Sequence, residues 1–296
     1  PGFQPPKEPI DVRGIALLAV GMASLQYVLE EGNREDWWES QTITVLAVLS
    51  GISLFTFIIH ELETDNPVVD LRVFKNRSYS AATGINFLVG MTLFSGSYLF
   101  SLFCGAVMHY AALDIGLVFL TAGCVQIVLM PLIGKFGGRF DPRRLIAFGV
   151  CVTAFSLFLH SHLTAAAGYW DLTRPRMVMA GGLGFLFVPL SVVALSDLPL
   201  SQRGNATGLF NLTRELGGSI GTAWMGLMID RGTHRHASHL REWIYAQNPL
   251  VQETMGVIQG SLGSQTFTRE LLPESLLEMR VRLQSLILAF NDGFAW

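Results

Sequence analysis

The chain has 296 residues, of which 50% are hydrophobic and only 15% charged, with a formal net charge of -3 and a mean hydropathy of +0.42. Soluble domains carry about 25% charged residues, so this chain has too little charge to clothe a solvated surface, and it has no basic run fit to hold nucleic acid. Continuous apolar runs of about 20 residues, punctuated by Gly, Pro and charge clusters, define an all-α integral membrane bundle.

Residues 1–13 form a Pro-rich polar linker. The first two expected spans lie within 14–60, running from Gly14 to about Leu29 and from Ile43 to about Ile59. Between them is a polar turn with Trp37 and Trp38 at an interface position. Residues 61–79 are polar with an amphipathic patch (Val68, Val69, Leu71, Val73, Phe74), expected to lie along the membrane surface. Further spans are expected from Ala81 to about His109, Ile115 to Phe136, Leu145 to Leu163 and Met177 to Leu195. The seventh lies in the stretch Arg203 to Arg231. A polar loop over 232–275 follows, and an eighth span opens near Val281. Both ends look cut, so the chain reads as a fragment of a longer protein.

Lys7, Arg13, Arg72, Lys75, Arg77, Lys135, Arg139, Arg143, Arg144 and Arg203 fall on one side of these spans. Only Arg34, Arg174 and Arg176 occupy the opposite short loops. The positive-inside rule makes the first side cytoplasmic and puts 232–275 outside.

The seventh span is the most informative. Ala206 to Ile229 holds two charged residues, the neighbours Arg214 and Glu215. At a rise of ~1.5 Å per residue Arg214 lies near midplane, where an unpaired charge costs about 3 kcal/mol. Helix neighbours point roughly 100° apart, so the two are not expected to face each other. Each should find a partner or a water-filled cavity, and either a transport role or bundle cohesion fits. Gly204, Gly208, Gly217, Gly218 and Gly221 sit at small-residue spacings that admit another helix closely.

Asp114 can cap the fourth span or contact substrate or protons. Phe94, Tyr98 and Phe103, with Phe100 and Tyr110, can form an aromatic wall for apolar cations or simply pack. His234, His236 and His239 suit no regular helical face and read as a solvated loop rather than a metal site. Cys104, Cys124 and Cys151 read as small buried hydrophobes. Two formal sequons, at Asn205 and Asn211, lie at the cytoplasmic edge or in the membrane and are not glycosylation sites. No P-loop, dinucleotide turn or nucleophile–base set is present, so no enzyme chemistry and no cofactor is expected.

The segment Gly134-Lys-Phe-Gly-Gly-Arg-Phe-Asp-Pro-Arg-Arg144 joins the fourth and fifth spans. It resembles the cytoplasmic "G-x-x-x-D-R-x-x-x-R" loop of major facilitator superfamily transporters, with Gly134, Lys135, Arg139, Asp141, Arg143 and Arg144 as its members. Here Arg139 precedes Asp141, and Pro142 stands where an arginine is usual. The stretch RGNATGLFNLTRELGGSIGTA, from Arg203 to Ala223, is similar to the penultimate helix of EmrB/QacA-type fourteen-helix drug:proton antiporters. LAFNDGFAW resembles the start of that family's last helix.

The resemblance implies the C-terminal six-helix half of a major facilitator fold over 80–296, preceded by two extra spans, with the N-terminal half absent. It implies proton-coupled efflux of hydrophobic and cationic drugs by alternating access, inactive in the fragment alone. Glu215, where a glutamine is common, is an added proton or cation candidate beside Arg214. The implied partners are drugs, protons, the bilayer and, in a Gram-negative envelope, a periplasmic adaptor and an outer-membrane channel. Export of a specific metabolite or siderophore, or a non-transporting truncated membrane protein, stays open as the alternative.

Overall fold

The computed structural model describes residues 11–64, 69–164, 166–242 and 272–295. Among these it forms eight α-helices and no strand: α1 (Val12–Glu31), α2 (Gln41–Glu63), α3 (Arg77–Ala106), α4 (Ala112–Gly137), α5 (Pro142–His160), α6 (Tyr169–Ser196), α7 (Leu200–Glu242) and α8 (Leu272–Ala295). Helices α1 to α6 are each long and apolar enough to cross a bilayer.

Side-chain oxygens start α1 and α3 to α6. Asp11 Oδ1 accepts from Gly14 N at 3.0 Å ahead of α1, and Asn76 Oδ1 accepts from Ser78 N at 2.9 Å ahead of α3. Asp141 Oδ1 accepts from Arg143 N at 2.9 Å ahead of α5, where Pro142 takes the first helical position and needs no donor partner. In α4 and α6 the third residue reaches back: Asp114 Oδ2 accepts from Ala111 N at 3.2 Å, and Asp171 Oδ2 from Gly168 N at 2.9 Å.

The chain divides into two compact units by residue rather than by helix. The first holds residues up to Ser97, Ile127–Val150 and Gly182–Trp224; the second holds Tyr98–Gln126, Cys151–Gly181 and Met225 onward. In the first unit α1 and α2 pair antiparallel. Ser50 Oγ donates to Gly21 O at 2.9 Å, and a Cβ on Gly21 would stand 2.7 Å from Leu54 Cδ2. Its other core joins Tyr79 and Ala82 of α3, Leu190 and Ala194 of α6, and Ala206 and Phe210 of α7. Val69 and Val73 are buried in this unit, so part of the patch expected on the membrane surface is core instead. Phe74 is outward but stacks edge-on to Tyr79 at 5.5 Å.

The second unit closes on an aromatic core. Leu99, Phe100, Phe103 and Cys104 of α3 meet Val118, Leu172, Met225, Ile229, Ile287, Phe290 and Phe294. Phe103 and Phe290 cross edge-to-face at 5.5 Å, the geometry that ring quadrupoles favour.

Three boundaries differ most from the expectation. Helix α7 continues to Glu242, so 232–242 is helical rather than loop, and 243–271 lie outside the described residues. Helix α8 begins at Leu272, before the expected Val281. Helix α6 begins at Tyr169, so Arg174 and Arg176 are inside it rather than in a short loop; the third-position cap at Asp171 lets the helix start ahead of Pro175. Cys104 is buried as expected, but Cys124 and Cys151 face outward.

Candidate functional site

Helices α3 and α7 run parallel along a shared seam in the first unit. Tyr79 Oη donates to Ala206 O at 2.8 Å and Asn86 Nδ2 donates to Phe210 O at 2.6 Å. One turn further on, Gly90 lies against the carbonyl of Arg214 and Gly217 against the carbonyl of Phe87. A Cβ on Gly221 would stand 2.9 Å from Met91 Cα, and one on Gly218 would stand 2.5 Å from the Phe94 ring. Three of the five expected packing glycines therefore admit α3. Gly204 and Gly208 do not, since a Cβ there would meet open space. The seam follows Ala206, Phe210, Arg214, Gly217 and Gly221, and Gly208 stands two residues from Phe210, roughly 200° round the helix.

The seam fixes the backbone that carries Arg214 and Glu215. Contrary to expectation the two do meet, Arg214 Nη2 lying 3.8 Å from Glu215 Oε1. Both side chains are long enough to swing across the angle between neighbours. The contact is loose, the side chains being 27% and 44% exposed on the protein. Arg214 also lies over Phe187 of α6, its Cζ 5.4 Å from the ring centroid.

The α4–α5 connection is shorter than the expected loop. Helix α4 runs to Gly137, so Gly134 and Lys135 are helical, Arg139 and Asp141 lie in the 138–141 turn, and Arg143 and Arg144 open α5 with outward side chains. Asp114 is exposed and acts as a helix cap. Of the aromatic wall, Phe94 packs on Gly218 in the first unit. In the second, Tyr98 faces outward while Phe103 is fully buried in the core. His234, His236 and His239 sit on α7 rather than in a loop, and His236 Nε2 meets Asp292 Oδ2 at 2.8 Å. Among the described residues no group of three or more His, Cys, Asp or Glu could hold a metal ion.

Two polar clusters were missed. At the base of α1 and α2, His60 Nε2 meets Asp11 Oδ2 at 2.8 Å, and buried Glu61 accepts from Val69 N at 3.3 Å. The hydrogen bond from the Gly14 amide is the largest influence holding the Asp11 carboxyl below the usual carboxylate range; burial opposes it, and His60 and the Arg13 amide add to the lowering. In the second unit Arg176 is 5% exposed, its Cζ 4.3 Å from the Phe119 ring centroid and 5.1 Å from that of Phe100. His160 is 1% exposed beside it, 5.7 Å from the same Phe100 ring. Sequence signals existed, since both ends of each cluster flank long apolar runs, but the run Arg174-Pro175-Arg176 looks like a loop.

Six helices long and apolar enough to cross a bilayer define a multi-pass membrane protein. The chain belongs to the Major Facilitator Superfamily, whose family model matches residues 14–222. It is 31% identical over 290 residues to the multidrug export protein EmrB of Escherichia coli K12, covering 96% of this chain and 55% of that protein. It is 33% identical over 246 residues to the EmrB of Haemophilus influenzae, covering 83% and 48%. It is 27% identical over 293 residues to the fatty acid resistance protein FarB of Neisseria gonorrhoeae, covering 97% and 56%. The chain thus spans about half the length of these relatives.

Proposed function

We propose that the full protein is a secondary active exporter in the inner membrane that exchanges hydrophobic and cationic drugs for protons by alternating access. The observation that carries this reading is the carboxylate of Glu215, placed within α7 beside Arg214 and Phe187 on a backbone locked to α3. A carboxylate there has two uses. Ionised, it attracts a cationic drug, which Phe187 can cover with its ring face. Protonated, it no longer holds that cation, so drug and proton compete for one group and transport of each drives the other. The relatives named for multidrug export support the drug class, and the one named for fatty acid resistance supports apolar acids as a second substrate class. In a two-membrane envelope, a periplasmic adaptor and an outer-membrane channel are the partners this reading requires.

The test is ethidium efflux from proteoliposomes of the full-length protein under an imposed pH gradient, with Glu215→Gln beside wild type. Gradient-dependent efflux that falls at least tenfold in the variant is the expected result. Unchanged efflux moves coupling away from Glu215, and no efflux from wild type removes the drug-exporter reading.

A further inference from the structure

The first turns of α5 and the residue pair ahead of them present an outward face in the first unit. Arg143 and Arg144 are exposed, and so are Ala147, Phe148 and Val150. Helical spacing sets these five in two neighbouring rows, Arg143–Ala147–Val150 and Arg144–Phe148. Phe148 is 53% and Val150 49% exposed. Phe140, just ahead of the Asp141 cap, is 61% exposed. The opposite side of the helix is taken up by α6, since a Cβ on Gly149 would stand 3.0 Å from Gly182 O. The free face therefore carries two guanidinium groups at its head, with apolar side chains on the turn beneath them.

Helix length places this face at a particular depth. Pro142–His160 is 19 residues long and apolar enough to cross a bilayer. At a rise of about 1.5 Å per residue it barely matches a hydrocarbon core of about 30 Å, so its first turn stands among headgroups. Among the described residues neither Arg143 nor Arg144 forms an ion pair. Asp141, their nearest acid in sequence, commits Oδ1 to the amide of Arg143. A guanidinium fork matches two oxygens of one phosphate. Phe148 and Val150, one turn deeper, call for hydrocarbon. An anionic phospholipid offers both parts in that order along the helix. Phosphatidylcholine has the same phosphate but adds a quaternary ammonium, which two arginines repel. An acidic protein segment or a free anion would satisfy the arginines and leave Phe148 and Val150 uncovered.

We propose that Arg143 and Arg144, with Phe140, Phe148 and Val150, hold an anionic phospholipid of the phosphatidylglycerol class at the start of α5. This site lies apart from the Arg214–Glu215 pair and does not depend on what the full protein carries.

The test is native mass spectrometry of the full-length protein, delipidated in detergent and titrated separately with phosphatidylglycerol and phosphatidylcholine of the same acyl chains. Wild type is expected to bind its first phosphatidylglycerol at least tenfold more tightly than its first phosphatidylcholine. Arg143→Gln combined with Arg144→Gln is expected to reduce that preference below threefold. Arg72→Gln combined with Lys75→Gln removes the same charge from exposed positions elsewhere in the first unit, and the preference is expected to survive it. Phe148→Ala is expected to weaken both lipids at least threefold and leave their ratio unchanged. Should the arginine double variant fail to fold, Arg144→Lys, which keeps the charge and loses the fork, decides with a preference at least threefold below wild type. No preference in wild type, a preference kept without the arginines, or an equal loss in the Arg72 and Lys75 variant overturns the proposal. Displacement of the lipid by inorganic phosphate, but not by chloride of equal ionic strength, together with no effect of Phe148→Ala, would mark a free-anion site and overturn it too.

Discussion

Arg214 and Arg176 both lie inside long helices of a membrane protein, and they are housed in different ways. Arg214 sits on a backbone pressed against α3 by glycines, its side chain 27% exposed and loosely held by Glu215. Arg176 is sunk in an aromatic core, its charge spread over the faces of Phe100 and Phe119. The first arrangement fixes the main chain tightly and leaves the charge accessible; the second fixes the charge itself. A group proposed to meet protons and cations needs the first kind of housing.

The largest expected effect breaks the aromatic housing. Phe100→Ala removes a fully buried ring that touches Phe119, His160 and Arg176, and it is expected to cost about 3–5 kcal/mol. Thermal unfolding in detergent should show that loss, and a change within about 1 kcal/mol would show that the core can collapse around the gap.

The glycine seam comes next. Gly217→Val puts a branched side chain where the Phe87 backbone stands, and overpacking of this kind costs about 1–3 kcal/mol or more. Gly208→Ala enters open space and is expected to stabilise by about 0.5–1 kcal/mol through helix propensity. Equal behaviour of the two variants in the same melting assay would contradict the seam. Tyr79→Phe, which deletes the hydrogen bond to Ala206 O, sharpens the picture at about 1 kcal/mol.

Much of this architecture could be read from the sequence because apolar run length depends on local composition alone. The six apolar helices, the α4–α5 turn and the cap at Asp141 all follow from neighbours in sequence. The glycine seam was half legible: spacing marked Gly217, Gly218 and Gly221 as packing positions, but only the partner helix decides which face is covered, and that excluded Gly204 and Gly208. The Arg214–Glu215 contact was hidden because an angle between Cβ directions says little about where long side chains end. Arg176 was hidden because Arg174 and Pro175 mimic a loop, whereas Asp171 caps the helix and Ser156 meets the carbonyl of Pro175.

The smallest effect concerns the base of α1 and α2. The Asp11 carboxyl is held below the usual carboxylate range by the Gly14 amide and His60. A carboxyl depressed on folding contributes stability that is complete above the unfolded value and is lost as pH falls through the folded one. The stability difference between wild type and Asp11→Asn should therefore be steady near neutrality and shrink on acidification. A difference that grows as pH falls would reverse the assigned sign.

The central claim is that the α7 pair, and not the buried arginine of α6, links cations to protons. Proton release on adding a cationic drug to the full-length protein in weakly buffered detergent solution tests it most directly. Release is expected from wild type and from Arg176→Met, and at least a tenfold smaller release from Glu215→Gln. Full release from Glu215→Gln, or release abolished by Arg176→Met in folded protein, would contradict it.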